Sequence, residues 1–232
     1  MPAGPALLVA NHNAALLMPD LLEPFVRALG DRVIADVRSY PTHAALGYDD
    51  LIAQVRAALP SEDYAILAES FSGPIAMALA RTEPKGLRGL VFAVAFATPP
   101  RSFWLQLTRF LPLRAILAQP VPVWIARRLM LGPGAPAGTL ESLCQVMAKV
   151  DPAVFARRLT EVRDMQFEAK PVQLPALYIQ ATEDRLLPAG ALEALRPWLP
   201  KLEVQQVAGP HLVLDTAPER CADLVVEFLA RL

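Results

Sequence analysis

The feature that most constrains this chain is an alternation, kept up almost from end to end, of short apolar runs with helical patterns. Runs at 6–10 (ALLVA), 32–37, 64–68 (YAILA), 87–97 (LRGLVFAVAFA), 176–181 (ALYIQA) and 202–207 have the length of strands. Several are apolar at consecutive positions, as strands covered on both faces are. Helical patterns fall between them, over about 20–29, 49–59, 72–81 and 190–195, and a last helix starts at Pro218. Asp49 is the expected cap of the second helix. Thr216 and Glu219 have the spacing of a capping box, with Pro218 in the first turn. Strands joined by helical crossovers predict an α/β fold, a mostly parallel sheet with helices on both faces. Such sheets bind their ligands beyond the carboxyl ends of the strands, so the functional residues are expected in strand-to-helix loops.

One stretch breaks the alternation. Residues 98–170 contain several helical segments and many prolines but no convincing strand. Asp151-Pro152 opens the clearest of these helices, with Asp as cap and Pro at the first position. The stretch is read as a helical lid inserted into a single domain that spans 1–232. Proline is abundant, 23 of 232 residues, but it stands between elements and punctuates an ordered chain.

Composition narrows the function classes. Hydrophobic residues make up 54% and charged residues 19%, which fits a globular chain and excludes general disorder. A net charge of −1 gives no overall attraction to nucleic acid or to an anionic membrane. Cys144 and Cys221 lie far apart with no metal-ligand spacing and read as reduced thiols. No Lys or Arg precedes Arg27, and the apolar run 6–10 is too short for a signal-peptide core. Pro112, Pro120 and Pro122 interrupt the best candidate for a membrane span. The expectation is a soluble, unprocessed, cytoplasmic protein with no membrane span and no nucleic-acid partner. No metal cluster, phosphate-binding glycine loop or dinucleotide fingerprint stands out, and neither metal nor cofactor is expected.

The segment Ala68-Glu69-Ser70-Phe71-Ser72-Gly73-Pro74 lies where a strand must turn sharply into a helix. A serine at such a turn projects its hydroxyl above the sheet, and the residues two before and two after it must be small. Ala68 and Ser72 satisfy this around Ser70. A nucleophile at Ser72 would instead put Pro74 two positions on, a poorer fit. The plain alternative is that Ser70 only caps the helix that follows.

A serine nucleophile needs a base, and the base needs an orienting carboxylate. The strand at 176–181 runs into Thr182-Glu183-Asp184-Arg185, and the next strand ends in Ala208-Gly209-Pro210-His211. Three strand ends thus supply Ser70, then Asp184, then His211, in the chain order of the α/β-hydrolase triad. Asp184 could equally make a simple turn, and His211 could be an exposed loop residue. Glu183 is the weaker candidate for the acid. Glu69 is expected to point away from the serine, because neighbouring strand residues face opposite ways.

With these motifs in place, the chain resembles the α/β-hydrolases, specifically small bacterial serine esterase-like members with an A-E-S-F-S-G-P elbow and a G-P-H histidine loop. The likeness covers nearly the whole chain, including the acid loop 181–188 (ATEDRLLP). It implies the family's sheet shortened at its start, with the early antiparallel strands of larger members missing.

An oxyanion hole is needed for acyl transfer. One backbone donor is expected at Phe71 and the other in Ala10-Asn11-His12-Asn13-Ala14, the loop after the first strand. Relatives carry glycine-rich sequence in that loop; here Asn11 stands in for glycine, leaving His12 to present the second N–H. His43 is assigned to a loop without a role. Between Glu83 and Glu141 there is no acidic residue, while Lys85, Arg88, Arg101, Arg109, Arg114, Arg127 and Arg128 fall among Phe103, Trp104, Phe110 and Trp124. The interval is either a greasy acyl pocket with a basic rim or a lid whose arginines snorkel beside core aromatics. The expected function is hydrolysis of a small-molecule carboxylic ester or thioester, with an anionic portion if the basic rim meets it, through an acyl-Ser70 intermediate. An acyltransferase using the same triad and a non-catalytic binding protein on the same fold are the alternatives.

Overall fold

The computed structural model describes residues 6–11, 22–100, 103–119, 122–132, 135, 137–166, 170–188 and 190–232. Six strands form one sheet: β1 (Ala6–Asn11), β2 (Ile34–Ser39), β3 (Tyr64–Glu69), β4 (Leu87–Ala93), β5 (Ala176–Ala181) and β6 (Leu202–Val207). Their order across the sheet is β2-β1-β3-β4-β5-β6, and every neighbouring pair is parallel. The chain first steps outward from β1 to β2, then returns to the other side of β1 and proceeds one way to β6. The reversal falls between β1 and β3, the kind of switch point at which sheets of this type bind ligands.

Period-2 alternation explains how the sheet is covered. Leu8, Ile66, Phe92 and Tyr178 face one core with Leu51 and Val55 of α2 (Tyr48–Ala57) and Ile75 and Leu79 of α3 (Gly73–Arg81). Leu7, Leu67, Val91 and Ile179 face the other core, against Phe25 and Leu29 of α1 (Glu23–Leu29). That second core also takes in Val213 of α10 (Val213–Thr216) and Val225 and Phe228 of α11 (Pro218–Leu229). The inner strand β3 is buried at every position, whereas the edge strands β2 and β6 are largely open. Leu192 and Leu195 of α9 (Ala191–Leu195) close the first core near β5.

Between β4 and β5 the chain is helical, and no strand occurs among its described residues. The helices are α4 (Phe103–Leu107), α5 (Leu113–Leu117), α6 (Val123–Ala126), α7 (Ala137–Lys149) and α8 (Pro152–Asp164). A π-type turn, Arg127–Leu131, continues α6. As the sequence predicts, Asp151 caps α8, its Oδ1 accepting from the Ala153 N–H at 2.7 Å. Among the described residues, no helix is long and apolar enough to cross a membrane, and both cysteines are free thiols.

Several local expectations are corrected. Helix α2 is capped at Gly47, whose N–H donates to Asp50 Oδ2 at 2.9 Å, and Asp49 merely occupies the first turn. The capping box at Thr216 does not form. Thr216 is already the end of α10 and its hydroxyl donates back to the Leu212 carbonyl at 2.9 Å. The second strand starts at Ile34, because Gly30–Arg32 make a 3₁₀ turn. The fourth strand stops at Ala93, because Val94 turns to φ +41°. Residues 94–97 remain apolar because they form a buried loop over the strand end. Positions 20 and 21, expected to open the first helix, lie outside the described residues.

Candidate active site

The site is assembled where β3, β5 and β6 end. Glu69, the last residue of β3, is extended, and Ser70 then reverses the chain at φ +48°. A left-handed residue with a side chain costs about 1–2 kcal/mol, and such strain is kept only where the surroundings hold it in place. One 3₁₀ turn, Ser70–Ser72, leads into α3. The turn is tight enough that Ala68 and Ser72 are fully buried. The closest approach is one residue further on, where a Cβ on Gly73 would lie 2.0 Å from the Phe96 carbonyl oxygen. Glycine is therefore required at 73, a demand that the spacing rule for the elbow does not state.

Asp184 stands three residues beyond β5 and His211 four beyond β6. Two backbone hydrogen bonds zip their loops together: Thr182 N–H to Val207 O at 3.0 Å and Glu183 N–H to Gly209 O at 2.9 Å. The ring of His211 then lies between the other two residues, with Nδ1 2.9 Å from Asp184 Oδ2 and Nε2 3.0 Å from Ser70 Oγ. His211 is buried, and Asp184 and Ser70 are partly so. The Leu186 and Leu187 N–H groups donate to Asp184 Oδ1 at 2.8 and 3.1 Å, which fixes the carboxylate. Burial pushes the Asp184 pKa upward, but the His211 hydrogen bond, the His211 charge and these two N–H groups outweigh it. The carboxyl is held below its ordinary value.

The neighbours considered as alternatives lie elsewhere. Glu183 is exposed. Ser72 is fully buried and its Oγ accepts the Tyr40 hydroxyl at 2.8 Å. His43 is exposed on the 40–47 loop. His12 falls outside the described residues, but Asn11 pairs in register with Glu69. The chain therefore leaves β1 level with the residue before Ser70.

Two groups of buried polar residues surround the site without being visible in the sequence. Tyr40, Tyr48 and Arg158 enclose Phe71; the aromatic and cationic residues involved are up to 118 positions apart, and no local pattern links them. Glu69 and Asp215 are buried carboxylic acids close in chain to Ser70 and His211. Burial, then the charge of Glu69, raises the Asp215 pKa well above the ordinary carboxyl range. Only His211+4 spacing on a short helix could have flagged Asp215.

A family model described as the alpha/beta hydrolase family matches residues 12–224. The chain belongs to the alpha/beta hydrolase family. Solved structures with this fold include an esterase from Exiguobacterium antarcticum, 12% identical, with TM-score 0.78 over 99% of this chain and 93% of that one. The enol-lactonase from Burkholderia xenovorans LB400 is 16% identical, with TM-score 0.73 over 98% and 92%. A bacterial membrane phospholipase A is 20% identical, with TM-score 0.77 over 100% and 80%. At these identities the likeness is one of fold. Among curated proteins none matches.

Proposed function

We propose that this alpha/beta hydrolase family member is a serine hydrolase of small-molecule carboxylic esters or thioesters. The observation that carries the reading is the unbroken chain from Asp184 Oδ2 through both nitrogens of His211 to the hydroxyl of a left-handed Ser70. Asp184, held ionised, accepts Nδ1–H and so leaves Nε2 free to accept the Ser70 proton. As Nε2 takes that proton, Ser70 Oγ bonds to the substrate carbonyl carbon and the carbonyl electrons move to oxygen. The oxyanion is received by the Phe71 N–H, together with a backbone N–H of the 11–13 loop, the His12 position. Collapse expels the alcohol or thiol, which takes the proton from His211, and acyl-Ser70 remains. Water then gives a proton to His211 and its oxygen to the acyl carbon; the acid leaves, and the proton returns to Ser70 Oγ.

The helices between β4 and β5 serve as the lid in this reading. Their link to the site is direct: Leu212 N–H donates to Met130 O at 3.1 Å, and Leu212 packs with Ala126, Leu131 and Leu143. The basic rim narrows to part of the interval. Arg88 lies on β4 and pairs with Asp63, and Arg109 pairs with Asp164. Arg114, Arg127 and Arg128 are exposed and make no ion pair among the described residues, beside the exposed Ile116, Val123 and Trp124. These three cations are proposed to meet an anionic portion of the substrate.

The test is turnover of a simple aryl ester by the wild type, Ser70→Ala and Ser72→Ala. Loss of about 10⁴-fold or more in kcat is expected for Ser70→Ala. Turnover that survives in Ser70→Ala would transfer the role elsewhere.

A further inference from the structure

Arg158 is the largest fully buried side chain among the described residues, 2% exposed on α8. A guanidinium does not lose its charge, and burial without a carboxylate is costly. Among the described residues no carboxylate lies within ion-pair distance of it; Glu161 instead pairs with Arg157. Arg158 Nη1 donates to Leu46 O at 3.0 Å and Nη2 to Pro41 O at 3.2 Å. Its Cζ lies 5.4 Å from the centroid of the Phe71 ring, within cation–π range.

Two tyrosines hold Phe71 further. Tyr48 stacks on it, centroids 4.5 Å apart and planes 15° from parallel, and Tyr40 meets its edge at 6.3 Å. The Tyr48 hydroxyl donates to the Phe71 carbonyl oxygen at 3.2 Å. Tyr48 itself is anchored to α8, because its backbone N–H donates to Glu161 Oε2 at 2.7 Å. The same lid helix thus holds both the ring and, through Tyr48, the carbonyl of the residue after Ser70.

From this geometry we infer that Arg158 is a positioning residue for oxyanion stabilisation, acting through Phe71 together with Tyr48. The inference rests on the serine-hydrolase reading, in which the Phe71 N–H is an oxyanion donor. The ring and the carbonyl are carried on two substituents of the Phe71 Cα; with both held, the nitrogen on the same Cα is held in place, and its N–H needs little reorganisation during reaction. Seating of α8 on the 40–48 segment then becomes a condition for full activity, although α8 itself carries no catalytic group.

The experiment compares wild type, Arg158→Lys, Tyr48→Phe and Ser70→Ala. Arg158→Lys keeps a buried cation that can still donate to a carbonyl but loses the planar fork over the ring. Tyr48→Phe keeps the stack and removes only the hydroxyl, so it protects the test against a simple folding failure. Misplacing one donor is expected to lower kcat about 10- to 100-fold with KM changed by less than about threefold. Affinity for an arylboronic acid, whose adduct on the serine mimics the tetrahedral intermediate, should fall in step with kcat. Affinity for the product carboxylate should not. If both variants melt near the wild-type temperature and keep wild-type kcat and boronate affinity, the inference is overturned. If the wild type neither turns over an aryl ester nor binds the boronate in a Ser70-dependent way, the serine-hydrolase reading fails, and the positioning role with it.

Discussion

At Ser70 a steric cost coincides with what the proposed mechanism requires. The positive φ lifts the hydroxyl toward His211, and a residue without a side chain would adopt it more easily. Ser70→Gly is therefore expected to be more stable than Ser70→Ala, by up to about 1 kcal/mol, though both are inactive. Denaturant midpoints of the two variants check this; equal midpoints would mean that the turn is unstrained. The two aspartates near the site should respond to pH in opposite senses. Asp184 has a depressed pKa, so its contribution to stability is present above the unfolded value of about 3.9 and is lost as pH falls. Asp215 has a raised pKa, so the folded state holds its proton more tightly; its contribution is full below about 3.9 and declines as pH rises from there. Asp215→Asn should flatten the decline above that pH, measured as urea midpoint against pH. An unchanged slope would remove Asp215 as its source. Asp184→Asn should cripple acylation, whereas Glu183→Gln, on an exposed side chain, should be mild; the reverse ranking in acylation rate would move the acid to Glu183.

At the scale of elements, strands and helices were legible where the apolar period came from burial in regular structure. The sheet positions of ALLVA, YAILA and ALYIQA follow directly from it. The same signal misleads at 94–97, where a buried loop is as apolar as a strand. Caps were harder still, since Gly47 and Thr216 depend on where the preceding turn ends, which short-range chemistry does not fix. That Ser70, Asp184 and His211 come together was legible in the sequence because each follows closely on a strand end. The grip on Phe71 was not, because α8 meets the 40–48 segment only through the tertiary fold. An element-level prediction concerns α6 and its π-type continuation. If Arg127 and Arg128 meet an anionic portion of the substrate, their replacement by Gln should lower kcat/KM for an anionic thioester and spare a neutral ester. Raised salt should act on the anionic substrate in the same way, since the screening length is about 10 Å at 0.1 M. Equal salt responses of the two substrates would leave these arginines as solvent-facing charges only.

For the whole molecule, one topological fact positions everything else. The chain reverses direction across the sheet between β2 and β3, so α1 and α3, which follow the paired strands β1 and β3, pack on opposite faces. Ser70 follows the end of β3, level with Asn11 at the end of β1. The later strands β5 and β6 bring Asp184 and His211 to the same edge, and the helices between β4 and β5 reach it through Met130 and Arg158. In the proposed function, this edge makes the Ser70 hydroxyl a nucleophile. The most direct measurement of this is the site of covalent labelling by a fluorophosphonate probe, read by mass spectrometry of the digested protein. A single adduct on the peptide carrying Ser70 is expected, abolished in Ser70→Ala and strongly slowed in His211→Ala. An adduct on Ser72, or labelling that persists at the wild-type rate in Ser70→Ala, would contradict it.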